Sequence, residues 1–263
     1  KEDFCFLFLG QWTKGGFGED RKDISRLIKV FYETFSNKEN APALILKTNG
    51  ATYSILDHED CLRKIKEIKS KFPSDFKLPK VYLLHGDLSN EDVNKLYNHP
   101  KVKAMVSLTH GEGFGRPLLE ATMTGLPVIT SGWSGHMDFL NPTDSLLLGG
   151  DLIEVPKSVV WKDIIIEGSK WFQVNENQIY NGFKFLFENY DTAKDNALRL
   201  MKKNRGIFTL KKMTDKLDDI VTPYIDKIPS QVSLNLPKLK KKTKPVDIKL
   251  PKLKKLESIK ESV

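Results

Sequence analysis

Short, continuous apolar runs alternate with stretches of helical periodicity along most of the chain. "FCFLFLG" (4–10), "PALILKT" (42–48), "KVYLLHG" (80–86), "VKAMVSLTH" (102–110) and "LPVITS" (126–131) read as five strands, and "SLLLGG" (145–150) as a sixth. Between them, Ile24, Leu27, Ile28, Phe31 and Phe35 recur at helical spacing, with Asp23 placed to cap that helix. "HEDCLRKIKEIKSKF" (58–72) is amphipathic, "SNEDVNKLYNH" (89–99) is a short helix behind Ser89, and "RPLLEATMT" (116–124) is another. Strands that are apolar throughout, rather than at alternate positions, are buried on both faces. The pattern therefore predicts an α/β fold, a parallel Rossmann-like sheet with helices on both faces. Such a sheet binds ligands at the carboxyl ends of its strands, near a topological switch point. Beyond about residue 158 the chain is expected to turn helical, through "YNGFKFLFENY", "DTAKDNALRLMKKN" and, behind Thr209, "LKKMTDKLDDIVTPYI".

The net charge of +8 suggests a nucleic-acid partner until it is divided along the chain. Residues 227–263 hold 11 lysines and 3 acidic residues, so 11 − 3 = +8, and residues 1–226 carry 31 basic and 31 acidic residues. The expected organisation is a neutral folded domain over 1–226 and a Lys/Pro-rich tail over 227–263. In the tail "LPKLKK" occurs twice, at 236–241 and 250–255, and prolines 229, 237, 245 and 251 forbid a long helix. The tail reads as solvated chain or as a segment that docks on an acidic surface or a partner protein. It lacks the interleaved aromatics of a base-stacking segment. No apolar run reaches the roughly 18 residues of a membrane span. Cys5 and Cys61 form no CxxC pair, and the expectation is a cytoplasmic, reducing compartment.

The chemistry concentrates in "HGEGFGRPLLEATMTGLPVI" (110–129). Gly111, Gly113 and Gly115 allow a sharp turn and close approach to a ligand. Pro117 suits the first turn of a helix and Gly125 its end. The amino end of that helix, with free N–H groups and a positive dipole, faces the carboxyl end of the sheet and forms a phosphate site. Glu120, about one turn inside, can accept from two adjacent hydroxyls such as those of a ribose. Glu112 lies on the loop on the far side of the phosphates. Two carboxylates flanking a phosphate cradle suit a ligand with a sugar at each end, a nucleotide-sugar. No His/Cys/Asp cluster has metal-ligand spacing. His110 reads as a packed loop residue. His136, in "GWSGHMDF", is open between packing and lining the cleft, and the four tryptophans read as core or rim.

With its Glu-x7-Glu spacing, this segment resembles the signature of retaining GT-B glycosyltransferases of the group 1 type. "LLHGDLSNEDVNKLY" and "GQW…DRKDISRLIKVF" resemble the flanking parts of that family's carboxy-terminal, donor-binding domain, over roughly residues 4–225. The resemblance implies a single GT-B half that binds a nucleotide diphosphate sugar for transfer with retention, without a metal or other cofactor. It implies that Glu112 touches the donor sugar as a positioning and electrostatic group in catalysis and that Glu120 binds the ribose. Gly113, Phe114, Gly115, Arg116 and Pro117 would form the diphosphate turn, and Gly86 would border the base. Where the family places an arginine after the first strand, this chain has Gln11. Arg21 and Lys22, with Lys14 as the weaker lysine candidate, would then supply the diphosphate clamp. An amino-terminal acceptor-binding domain would be missing, so the chain reads as a fragment of a longer enzyme or a half completed by a partner chain. The acceptor is unspecified: a glycan, a lipid or another group. The alternative reading is a non-catalytic nucleotide-binding or partner-docking module derived from a glycosyltransferase.

Overall fold

In the computed structural model, which describes residues 2–13, 16–225 and 227, six apolar runs line up as one parallel sheet. The strands are β1 (Cys5–Leu9), β2 (Ala43–Lys47), β3 (Val81–Leu84), β4 (Val102–Ser107), β5 (Val128–Ser131) and β6 (Leu146–Leu148). Their spatial order is β3-β2-β1-β4-β5-β6, every pair parallel. The direction of travel reverses between β1 and β4, which makes their carboxyl ends the switch point.

Alternate residues of β1 feed two cores. Phe6 and Phe8 point into one with Leu27 and Phe31 of α1 (Ile24–Phe35) and Phe183 of a later helix. Leu7 points into the other with Met105, Leu118 and Leu200. Every predicted apolar position of α1 is fully buried. Phe6 and Phe183 meet edge to face at 4.9 Å, the geometry aromatic pairs prefer. The edge strand β3 is the least covered, with Tyr82 exposed.

The other helices are α2 (Ile55–Lys69), α3 (Asn90–Tyr97), α4 (Arg116–Met123), α5 (Glu176–Glu188), α6 (Tyr190–Ile207) and α7 (Leu210–Ile225). Helix α2 begins earlier than its apolar period suggests, because the Ser54 hydroxyl accepts the Asp57 N–H and sets the start. Ser89 caps α3 in the same way, and Thr209 receives the Lys212 N–H at the start of α7. Asp23 does not cap α1. Its backbone is left-handed, and its carboxylate accepts from Arg26 Nε at 2.7 Å. The cap is Asp20, whose carboxylate accepts the Ile24 and Lys22 N–H groups.

The chain does not turn wholly helical after 158. β7 (Gly150–Glu154) and β8 (Lys170–Val174) pair antiparallel before α5 begins. Both cysteines are buried free thiols. The chain divides into a unit over Lys1–Lys216, which holds both sheets, and a second unit from Leu217, of which the end of α7 is described. The repeat and the docking role expected of 228–263 lie outside the described residues, as does Lys14. Among the described residues no helix is long and apolar enough to cross a membrane.

Candidate functional site

Residues 90 positions apart meet at the switch point. The loop after β1 carries Arg21 and Lys22, and the loop after β4 carries Glu112. Lys22 Nζ donates to Glu112 Oε1. Arg21 Nη1 donates to the Gly111 carbonyl at 2.9 Å and lies 3.5 Å from Glu112 Oε2. Burial works to raise the Glu112 carboxyl, but the Lys22 ammonium, its hydrogen bond and the Arg21 guanidinium outweigh it. Glu112 therefore sits below the usual carboxylate range. Burial pulls the Lys22 ammonium down, against the attraction of Glu112. Both are mostly buried, so each charge depends on the other.

Next to this pair, α4 begins in a way that leaves donors free. Gly115 is its cap residue with φ 85°, and no side chain caps it. A Cβ on Gly115 would lie 3.0 Å from the His136 Cβ, so the backbone conformation favours glycine and the packing leaves little room for more. Gly111 and Gly113, expected to share the turning, need no positive φ. Leu118 and Leu119 donate back to the Gly115 carbonyl. Ser134 Oγ takes the Glu112 N–H at 3.0 Å. Among the described residues, nothing accepts from the N–H groups of Gly113, Phe114, Gly115 or Arg116. Free donors just before and at the start of a helix are groups an anion can take.

Glu120 lies on α4 as expected, half-exposed, within 3.1 Å of Arg116 Nε and 3.2 Å of the Tyr97 hydroxyl. Tyr97 also reaches the Pro117 carbonyl. Gln11 is exposed just beyond β1, without charge of its own, and Arg21 brings the cation to the loop instead. Gly86 follows β3 with φ 112°, and its carbonyl accepts from Lys47 Nζ.

His110 is a packed residue, as its context implied. Its Nδ1 faces the Phe172 carbonyl at 2.7 Å and its Nε2 the Gly18 carbonyl at 3.3 Å. Trp171 stacks on its ring at 4.1 Å. The unforeseen strand β8 thus braces the loop that carries Glu112. His136 does not line the cleft. It is fully buried, its Nε2 donates to the Ser131 carbonyl at 2.6 Å, and burial pushes its pKa down. It supports the Gly115 turn from behind. Trp12 and Trp171 are core, whereas Trp133 and Trp161 are exposed.

Sequence reasoning also missed a polar set at the ends of β2 and β3. Asp57 accepts the Gly50 and Ala51 N–H groups and pairs with His85 Nε2 at 2.8 Å. Burial opposes its ionisation, but these bonds prevail and hold it below the ordinary range. The signal was available in "LKTNG", a lysine and polar residues closing an apolar strand toward the ligand edge.

A six-stranded parallel sheet in this order, with helices around it, is the Rossmann-like architecture of one half of a GT-B fold. Residues 19–158 match the glycosyl transferases group 1 family, and the chain belongs to that family. Its fold is similar to a sucrose-phosphate synthase from Thermosynechococcus elongatus (TM-score 0.60, 16% identity, 85% of this chain and 46% of that one). It is also similar to Anabaena HepE, solved in complex with UDP and glucose (TM-score 0.56, 12% identity, 84% and 48%). A third is the C-terminal domain of a group 1 glycosyl transferase, LpcC, from Francisella tularensis (TM-score 0.51, 14% identity, 77% and 86%). The chain thus spans about half the length of the first two. No curated protein matches it in sequence.

Proposed function

We propose that this chain is the donor-binding half of a glycosyltransferase that takes a nucleoside diphosphate sugar and transfers the glycosyl group with retention. The observation that carries the reading is the row of four unpartnered N–H groups from Gly113 to Arg116, beside the Arg21, Lys22 and Glu112 cluster. Diphosphate oxygens take those N–H groups and the two cations. Glu120 takes the ribose hydroxyls by exchanging its Arg116 and Tyr97 contacts. Lys22 and Glu112 neutralise each other without ligand. With donor bound, Lys22 turns to the diphosphate and Glu112 to the sugar, where it positions the ring and stabilises developing charge. Leaving-group charge is held by the helix amino end and the two cations. The acceptor-binding half lies outside this chain, as the half-length coverage of the two larger structures supports.

Calorimetric titration with UDP, GDP and ADP tests the reading, with Glu120→Ala as control. UDP is the first choice because HepE carries it. Saturable binding of one nucleotide, weakened in the variant, is the expected result. Absence of binding to all three overturns the reading. The uncharged Gln11 at the clamp favours a second reading, a nucleotide-binding module without catalysis. A transfer assay on the chain joined to an acceptor half separates the two.

A further inference from the structure

Beside the anion cradle lies a cavity of about 720 Å³ that the donor reading does not use. It forms where α6 ends and α7 begins, against the side chain of Phe114. Its apolar wall is Phe114, Ile207, Phe208 and Met213. Phe114 lines the cavity and is 43% exposed although its ring lies 5.3 Å from that of Phe139 and 6.2 Å from that of Phe208. That volume is in the range of small-molecule sites, which combine apolar walls with a few convergent polar groups.

The polar groups here are three cations. Lys203, Lys212 and Lys216 line the cavity against a single acid, Asp138. None of the three ammonium groups has an ion pair or hydrogen bond among the described residues, whereas the ammonium of their neighbour Lys211 is held by Asp215 at 3.1 Å. A solvated helix face is the ordinary reading of lysines in such numbers. A concave, aromatic-walled setting is not what a solvated face requires. Two further features point the same way. Asn204, fully buried, also borders the cavity, and its side-chain carbonyl has no partner while its amide donates to Thr122 Oγ1 and the Phe139 carbonyl. Gly206 borders it too, and a Cβ there would meet nothing within 4 Å, so packing does not demand glycine. Its effect is to keep one wall low.

We propose that this cavity is a second ligand site, for a phosphate-bearing molecule with an apolar or ring-shaped body. The lysines take the phosphate, and Phe114, Ile207 and Met213 take the body. The backbone of Phe114 belongs to the anion cradle and its side chain to this cavity, so a ligand here rests against the donor loop. The inference does not depend on the donor reading.

The test is calorimetric titration of the full chain with hexyl phosphate, and flotation with vesicles of phosphatidylcholine with and without phosphatidic acid. Hexyl phosphate is expected to bind one saturable site. The double variant Lys203→Glu, Lys212→Glu weakens it by about tenfold per lysine, since hydrogen bonds to charged groups carry that much. Gly206→Leu, which raises the low wall without a clash at Cβ, abolishes it and leaves nucleotide binding unchanged. Glu120→Ala does the reverse, so the two sites fail separately. Capture by phosphatidic acid vesicles alone, lost in both cavity variants, also supports the site and names a lipid headgroup as the source. No binding of either probe, or equal binding by wild type and both variants, overturns the proposal.

Discussion

Asp20 is the residue whose replacement says most about how the cradle is built. It is fully buried, and its carboxylate holds the Ile24 and Lys22 N–H groups, which ties the start of α1 to the loop bearing the cations. Asp20→Asn keeps an acceptor for those groups and removes the titrating proton. In the wild type, burial, with the Asp23 charge beside it, pushes Asp20 up to about 7. In the unfolded chain an aspartate titrates near about 3.9. Between these values the native state keeps a proton that the unfolded state has released. The stability that Asp20 contributes is therefore greatest below about pH 4, falls as pH rises, and levels off above about 7. Three pH units amount to about 4 kcal/mol, of which about 3 kcal/mol falls between pH 5 and pH 8. The asparagine variant has no such loss, so its stability relative to wild type should rise by that amount across the interval. Urea denaturation at both pH values, followed by tryptophan fluorescence, measures it. An equal difference at pH 5 and pH 8 would refute the assignment of a buried, protonated cap.

Three further outcomes follow from the same geometry. Glu112→Gln removes the Lys22 counter-charge, which should cost about 2 kcal/mol in denaturation, less than the roughly 3–5 kcal/mol of a fully buried pair because both groups keep some exposure and the amide oxygen still accepts. It should also tighten inorganic diphosphate binding by calorimetry, since the ammonium no longer has a competing carboxylate. Gly115→Ala forces a Cβ into a left-handed position against His136 and should cost about 1–2 kcal/mol, with loss of nucleotide binding as the cradle shifts. Trp171→Ala removes the ring stacked on His110 and should destabilise by about 3–5 kcal/mol. Its donor affinity should fall as well, because the loop before Glu112 loses its brace.

The sheet was readable because its strands are largely apolar runs, and the inner ones, β1, β2, β4 and β5, are buried on both faces. Helix α4 was readable because proline and glycine mark its two ends. Asp23 misled because a carboxylate at the cap position is the usual cap, whereas here the backbone at 23 is left-handed and Asp20, three residues earlier, reaches the N–H groups instead. The hairpin β7–β8 was missed although "KWFQV" is short, aromatic and bounded by polar residues, the signature of a strand. Its partner β7, "GDLIE", carries two charges and an exposed leucine, so the pair has no continuous apolar run to announce it.

The ion pair between Lys22 and Glu112 lies on a different level. Each residue could be singled out by its own motif, yet nothing local says that they touch. Their contact follows from topology: β1 and β4 are sheet neighbours only because the crossover direction reverses between them. That reversal brings the loop after β1 over the loop after β4 and assembles cations, carboxylate and helix amino end in one place. His110 likewise could be read as packed but not as braced. Its partners, Gly18 and Phe172, come from the two segments that converge there, one before and one after it in the chain. A motif thus locates the chemistry, and the order of strands decides which charges meet over it.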